Sequence, residues 1–397
     1  MGYSRQEAAE RAGVDVAMLD RLIDLGILEL AEPDQVTAAD VRRAQLAKSL
    51  EEAGIPLDGV ARAVKRGALS FAFLDAAAYD RFGAFGSETF RQVCVRTGVP
   101  IELLSLVREV TGSPEPSPDD RLREDEMAIV PFLELQVRAG FRQIAIERLL
   151  RVYGESTRRL AESEGAWWNS EIVEPAVASG ADPDELAAPD FADRSVPLAE
   201  ATVLAMYHVQ QARTWIANFT EGFEGLLAKA GIRARLERPP AICFLDITGY
   251  TRLTQERGDD AAAALAETLA RLVQRSSVRH GGKPIKWLGD GVMFHFRDPG
   301  PGIRAALEMV EGVAASGLPP AHVGLHSGPV LFQQGDYFGQ TVNITSRIAD
   351  YARPGEVLVS EAAAEAAEGI GVAFDDVGAV ELKGVGEPVH LYRALLS

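Results

Sequence analysis

Ala241-Ile242-Cys243-Phe244-Leu245-Asp246 is an apolar strand that closes on a carboxylate, and Ile247-Thr248-Gly249-Tyr250-Thr251 follows it as a small-residue turn. A second carboxylate, Asp290, lies in the tight turn Leu288-Gly289-Asp290-Gly291, between the apolar runs 284–288 and 292–296. A carboxylate at a strand end beside such a turn can hold a hard cation next to backbone N–H groups that point at phosphate. Two of them on adjacent strands can hold two Mg²⁺ ions close together, the arrangement that supports in-line attack at phosphorus. A single aspartate between glycines is more often a plain turn residue. The pairing of the two motifs is what points to chemistry.

Outward from this core, strand and helix patterns alternate to the end of the chain, so residues 241–397 read as an α+β domain. Before it, a long helix is expected from about Leu198 to Ala230, with apolar residues three and four apart at Val203, Met206, Val209, Ile216, Phe219, Phe223 and Leu226. Pro239-Pro240 stops it. Residues 171–196 are acidic and carry prolines and glycines, which reads as loop.

The first 75 residues read as short helices. Ser4 with Glu7 three residues on predicts a capping box, Gly13 and Gly26 bound a second helix over about Val16–Leu25, a third runs from Thr37 to Ala53 and a fourth over about Leu57–Arg66. A second copy follows. Arg96-Thr97-Gly98-Val99 echoes Arg11-Ala12-Gly13-Val14, and Arg138-Ala139-Gly140-Phe141 echoes Glu52-Ala53-Gly54-Ile55. The expected division is 1–80, 81–196, a coupling helix and linker at 197–240, and 241–397.

The chain has 397 residues and a net charge of −18, which sets it against nucleic acid and anionic membranes. No stretch approaches the roughly 18 to 20 uninterrupted apolar residues of a membrane helix. The polar, acidic start is no secretory signal. Cys94 and Cys243 fall in different predicted domains, which suits a reducing cytoplasm rather than a disulfide framework.

Three groups of motifs carry a resemblance. Phe244-Leu245-Asp246-Ile247-Thr248-Gly249-Tyr250-Thr251 comes first, then His280-Gly281-Gly282 with Lys286-Trp287-Leu288-Gly289-Asp290-Gly291. Asp336-Tyr337-Phe338-Gly339 with Val342-Asn343-Ile344-Thr345-Ser346-Arg347 is the third. In this order and spacing, residues 241–397 resemble a class III nucleotidyl cyclase catalytic domain, which implies a ferredoxin-like fold. The resemblance makes Asp246 and Asp290, with the backbone carbonyl of Ile247, the ligands of two divalent cations, Mg²⁺ or Mn²⁺. It makes Lys286 and Asp336 the pair that reads adenine, Asn343 the ribose-orienting residue, Arg347 the transition-state residue and Lys383 a triphosphate contact. Asn343 and Arg347 are four apart on a predicted helix and share one face. The implied substrate is ATP, the implied product 3′,5′-cyclic AMP, and the implied assembly a homodimer whose two sites each draw on both chains.

The helix–Gly–helix start resembles a MerR-type helix-turn-helix. Its charge argues against DNA: residues 1–80 hold nine Lys or Arg against fourteen Asp or Glu. Residues 85–235 resemble the regulatory domain of a mycobacterial class III cyclase whose output responds to pH, so helical control of the catalytic part is expected. A pH input would use carboxylates or the histidines, of which none precedes His208. A small apolar ligand at Trp167-Trp168 is the other input considered, against the ordinary reading of such aromatics as core. Two other functions stand beside cyclisation of ATP: a guanylate cyclase, and a transcription regulator whose cyclase-like part senses nucleotide.

Overall fold

The computed structural model describes residues 2–30, 35–182, 184–186, 188–231, 239–250, 258–288, 291–333, 335–367 and 371–396. Two compact units divide the chain, Met1–Gly222 and Phe223–Ser397.

In the first unit, α1 (Arg5–Ala12) is capped by Ser4, whose hydroxyl accepts the Glu7 N–H, and α2 (Val16–Leu25) by Asp15, which accepts from Met18. Gly13 joins them at φ +68°, a left-handed conformation that a side chain would strain. A full reciprocal capping box forms at α3 (Ala38–Glu52), between Thr37 and Asp40. α4 (Leu57–Lys65) completes a cluster around Leu19, Leu22, Val41 and Leu57.

The same order of elements then recurs: β1 (Phe85–Thr89), α5 (Phe90–Thr97), α6 (Ile101–Val110), β2 (Arg121–Arg123), α7 (Glu124–Arg138) and α8 (Gln143–Trp168). These helices build a separate core on Phe90, Leu103, Val130 and Leu133. Arg108 forks onto Glu126 at 2.6 and 2.7 Å, both side chains buried, and so ties α6 to α7.

Two expectations change. The region is not wholly helical: β1 pairs with β2, and Tyr3 bridges Val36, which satisfies backbone groups of the extended segments beside the helix pairs. Nor is 171–196 loop. It holds α9 (Glu174–Ser179) and the start of α10 (Pro189–Lys229). A proline opening a helix loses no needed N–H, so Pro189 starts α10 rather than blocking it. Near the end of α8 Trp167 is about half exposed, and the last residue, Trp168, rests on Phe191 with ring centroids 5.9 Å apart, so the pair is not core. The apolar stripe of α10 is exposed in the single chain: Met206, Ile216, Phe219 and Phe223 are each more than 60 % accessible.

The second unit is a sheet with helices. Its strands are β3 (Ala241–Ile247), β4 (Gly282–Leu288), β5 (Gly291–Phe296), β6 (Ala321–Ser327), β9 (Val357–Ser360), β10 (Val372–Val380) and β11 (Val389–Leu396), in the order β10-β11-β9-β6-β3-β5-β4. α11 (Asp259–Arg279) links β3 to β4, and α12 (Pro299–Ala315) links β5 to β6. This βαββαβ run, ordered β6-β3-β5-β4 with antiparallel neighbours, is ferredoxin-like. β7 (Leu331–Gln333) and β8 (Asp336–Phe338) form a separate hairpin. α13 (Gln340–Tyr351) and α14 (Glu361–Ala366) complete the unit.

Alternate residues of β3 explain its central place. Cys243, Leu245 and Ile247 are buried in the main core with Val273 of α11 and Met309 of α12. α13 packs against β3 and β6, and Gly324 permits it: a Cβ there would lie 2.2 Å from the Ala349 amide nitrogen. Gly324→Ala should therefore cost about 3 kcal/mol of stability or displace α13. Chemical denaturation with the activity read alongside tests this, and a variant as stable and active as the parent would refute the close contact.

Candidate active site

Asp246 is the penultimate residue of β3, its side chain about half exposed, and Ile247 after it is buried. Gly291 faces it across the sheet. A Cβ at that position would stand 3.2 Å from Asp246 Oδ1 and 3.1 Å from the Leu245 carbonyl, so the missing side chain leaves room at the carboxylate. His322, directly opposite Asp246 in the β3–β6 register, places Nε2 at 3.7 Å from its Oδ2 and Nδ1 at 3.2 Å from the Thr248 hydroxyl. An accessible carboxylate, a strand-end carbonyl and glycine on the facing strand fit a hard divalent cation. Asp290, the other expected ligand, lies outside the described residues. Among the described residues no group of three or more His, Cys, Asp or Glu gathers to hold a metal.

Lys286 and Asp336, fifty positions apart, meet: Lys286 Nζ is 2.5 Å from Asp336 Oδ2. β4 carries the lysine and the β7–β8 hairpin the aspartate, whose other oxygen accepts the Tyr337 N–H at 2.8 Å. Both side chains are partly exposed, at 37 % and 23 %, so the pair is open to a ligand.

Beneath it, the His295 ring of β5 stacks on Tyr337, centroids 4.4 Å apart and planes 9° from parallel. Burial, and secondarily the Lys283 ammonium, push the His295 pKa down to about 4. Unfolded, a histidine titrates near 6.5. As pH falls the unfolded chain takes the proton first, so this contribution is complete above about pH 6.5 and is lost toward pH 4, by at most about 3 kcal/mol. His326, lowered by burial, has the same sign. His295→Phe should flatten the stability curve between pH 6.5 and 4 in urea titrations. An unchanged curve would mean that His295 keeps its proton in the fold.

α13 buries Thr341, Thr345 and Ile348, and Thr341 fixes its start by donating to the Pro329 carbonyl at 2.7 Å. Asn343 and Arg347 emerge on the exposed side. Arg347 Nη1 donates to Asp350 at 2.6 Å, a partner one helical turn away on the same surface. Lys383 is exposed in the turn between β10 and β11, next to buried Leu382. One chain thus brings Lys286 to Asp336 and sets Asn343 beside Arg347, while Asp246 belongs to a separate cluster with Gly291 and His322.

Sequence reasoning counts His295 and His322 only among the histidines that could sense pH, without placing them at the site, and misses Asp350. Asp350, three residues after Arg347, was within reach of helical spacing. The histidines needed the strand register.

Residues 235–393 match the profile of the adenylate and guanylate cyclase catalytic domain. Most of the second unit, residues 235–393, therefore carries a cyclase catalytic domain. A pH-sensitive adenylate cyclase of Mycobacterium tuberculosis is 29 % identical over 319 residues, covering 76 % of this chain and 77 % of that protein. An adenylate cyclase of Streptomyces coelicolor is 28 % identical over 277 residues, covering 69 % and 70 %. The crystal structure of the adenylyl cyclase CyaB from P. aeruginosa aligns at 24 % identity with a TM-score of 0.36, over 40 % of this chain and 95 % of that one. Among the described residues no helix is long and apolar enough to cross a membrane.

Proposed function

We propose that this chain is an adenylate cyclase that converts ATP to 3′,5′-cyclic AMP and pyrophosphate at sites shared by two copies of itself. The ribose 3′-oxygen forms a bond to the α-phosphorus while the bond from that phosphorus to the bridging oxygen of pyrophosphate breaks.

The observation that carries the choice of base is the Lys286–Asp336 pair. An ammonium donor and a carboxylate acceptor match adenine, which accepts at N1 and donates from its N6 amino group. Guanine has the opposite pattern and would leave buried polar groups unpaired, which discriminates strongly. Asp246, the Ile247 carbonyl and Asp290 would hold the divalent cations, Mg²⁺ or Mn²⁺, which when bound make the 3′-hydroxyl more acidic and neutralise the phosphates. Lys383 would meet the triphosphate and Asn343 the ribose.

Two features support a homodimer. The Asn343–Arg347 face points to solvent in the single chain. The exposed apolar stripe of α10 is a surface that soluble chains normally cover. The DNA-binding alternative is disfavoured by charge and by pairing: Arg5 bonds Asp20 and Arg21 bonds Glu51 at the helix pair that would face DNA.

Purified chain given ATP or GTP with Mg²⁺ or Mn²⁺ should release cyclic AMP and pyrophosphate in equal amounts from ATP. Faster cyclisation of GTP would reject the base assignment. Asp336→Ala should lower kcat/KM for ATP by about 10- to 100-fold and narrow the preference for ATP over GTP. An unchanged preference would remove the pair from base reading.

The helical unit is the regulatory part. Its support is the 319-residue similarity to a pH-sensitive relative, which is too long to lie within the catalytic domain alone. Deleting residues 1–222 should change the pH–rate profile between pH 5 and 8. Superimposable profiles would contradict control by that unit.

A further inference from the structure

We propose that His295 is a positioning residue for the purine: its ring, stacked on Tyr337, fixes the pose of Asp336 and so sharpens the choice of adenine over guanine. This rests on the reading of Lys286 and Asp336 as the base-reading pair.

Asp336 opens β8, a three-residue strand paired to β7 in a hairpin that is no part of the seven-stranded sheet. A two-stranded hairpin is marginal by itself and takes its position from what it packs on. Tyr337 gives the sheet an aromatic contact with it. Its amide holds Asp336 Oδ1 at 2.8 Å, while its ring lies flat on His295 at 4.4 Å and against Phe332 at 4.9 Å. A tilt of Tyr337 would turn the amide that holds the carboxylate. His295 itself sits on an interior strand, β5, between Ile242 of β3 and Lys283 of β4.

Among the described residues, two lysines also tie the sheet to the hairpin. Lys286 pairs with Asp336 and lies 5.9 Å from the Phe338 ring, and Lys283 lies 5.9 Å from the Phe332 ring. Flexible ammonium arms constrain direction less than a flat ring contact does. Moreover, Lys286 is the group that must turn to the base when nucleotide enters. The stack remains to hold Asp336 at that moment. Burial keeps His295 uncharged near neutral pH, so it presents a neutral ring beside Lys283.

The test uses the full-length protein and steady-state kinetics with ATP and GTP. His295→Leu fills the space without an aromatic face and should raise KM for ATP about 3- to 10-fold, with kcat within about twofold. The ATP-over-GTP ratio of kcat/KM should fall by a similar factor. His295→Phe, which restores a ring, should return both values to within about twofold of the parent. Loss of kcat at unchanged KM in His295→Leu, or a His295→Phe variant as impaired as His295→Leu, overturns the proposal. Asp336→Ala in the same assay separates the two layers. If it narrows base preference while His295→Leu does not, the positioning role alone fails. If it leaves preference intact, the base-reading assignment fails and the positioning role falls with it.

Discussion

Arg347→Ala is expected to lower kcat by about 10²- to 10³-fold while KM for ATP stays within a few-fold, because in the proposed reaction the guanidinium would act on charge that develops only in the transition state. The helix that carries it is firmly placed: Gly324 lets α13 lie against the sheet, Thr341 ties its start to the Pro329 carbonyl, and Thr345 is buried on its inner face. The side chain is not. It is 44 % exposed and paired with Asp350, an exposed ion pair of the kind worth under about 1 kcal/mol. Leaving Asp350 for a nucleotide phosphate therefore costs little. Arg347→Lys should recover only a small part of the loss, since an ammonium lacks the planar fork that grips two phosphate oxygens. Steady-state kinetics decides this. A variant that keeps kcat and loses only KM would place Arg347 in ground-state binding.

Asp246→Asn should lower kcat/KM by about 10³-fold or more at any attainable Mg²⁺ concentration. The change keeps the shape of the side chain and removes its charge, so Gly291, Leu245 and His322 keep their neighbour. What is lost is the hard anionic oxygen that a divalent cation needs. Mn²⁺ binding to the nucleotide-loaded protein, followed by electron paramagnetic resonance, should weaken in parallel. Parental Mn²⁺ affinity in the variant would take Asp246 out of the metal site.

Much of this arrangement is written in local sequence. The strand Ala241–Ile247 follows from an unbroken apolar run closing on a carboxylate, and it forms within one residue of the expected end. Asn343 and Arg347 share a face because they are four apart on a helix that does form. The helices starting at 5, 16, 38 and 57 are followed by helices starting at 90, 101, 124 and 143, so the sequence echoes at Gly13/Gly98 and Gly54/Gly140 have structural counterparts. Here glycine at a helix end is a physical signal, since each of these residues takes positive φ.

What stayed hidden depends on register and on context. That His322 faces Asp246 follows from the pairing of β3 with β6, which local periodicity does not contain. The His295–Tyr337 stack joins a sheet strand to a hairpin far along the chain, a meeting that spacing alone does not reveal. Residues 171–196 misled for a different reason. Proline and acidic residues predict loop, yet Pro189 opens a helix and Asp193 accepts the Ala78 amide at 2.7 Å, which ties the start of that helix to the segment after α4.

The central claim is that metal ligands from one copy and the Asn343–Arg347 helix from another make each site. Equal amounts of Asp246→Ala and Arg347→Ala chains, allowed to exchange subunits, test it directly. Half of the dimers would be mixed and each would hold one intact site, so about a quarter of parental activity should return. A mixture as inactive as either variant alone, with mixed dimers demonstrated by differential tags, would contradict the account.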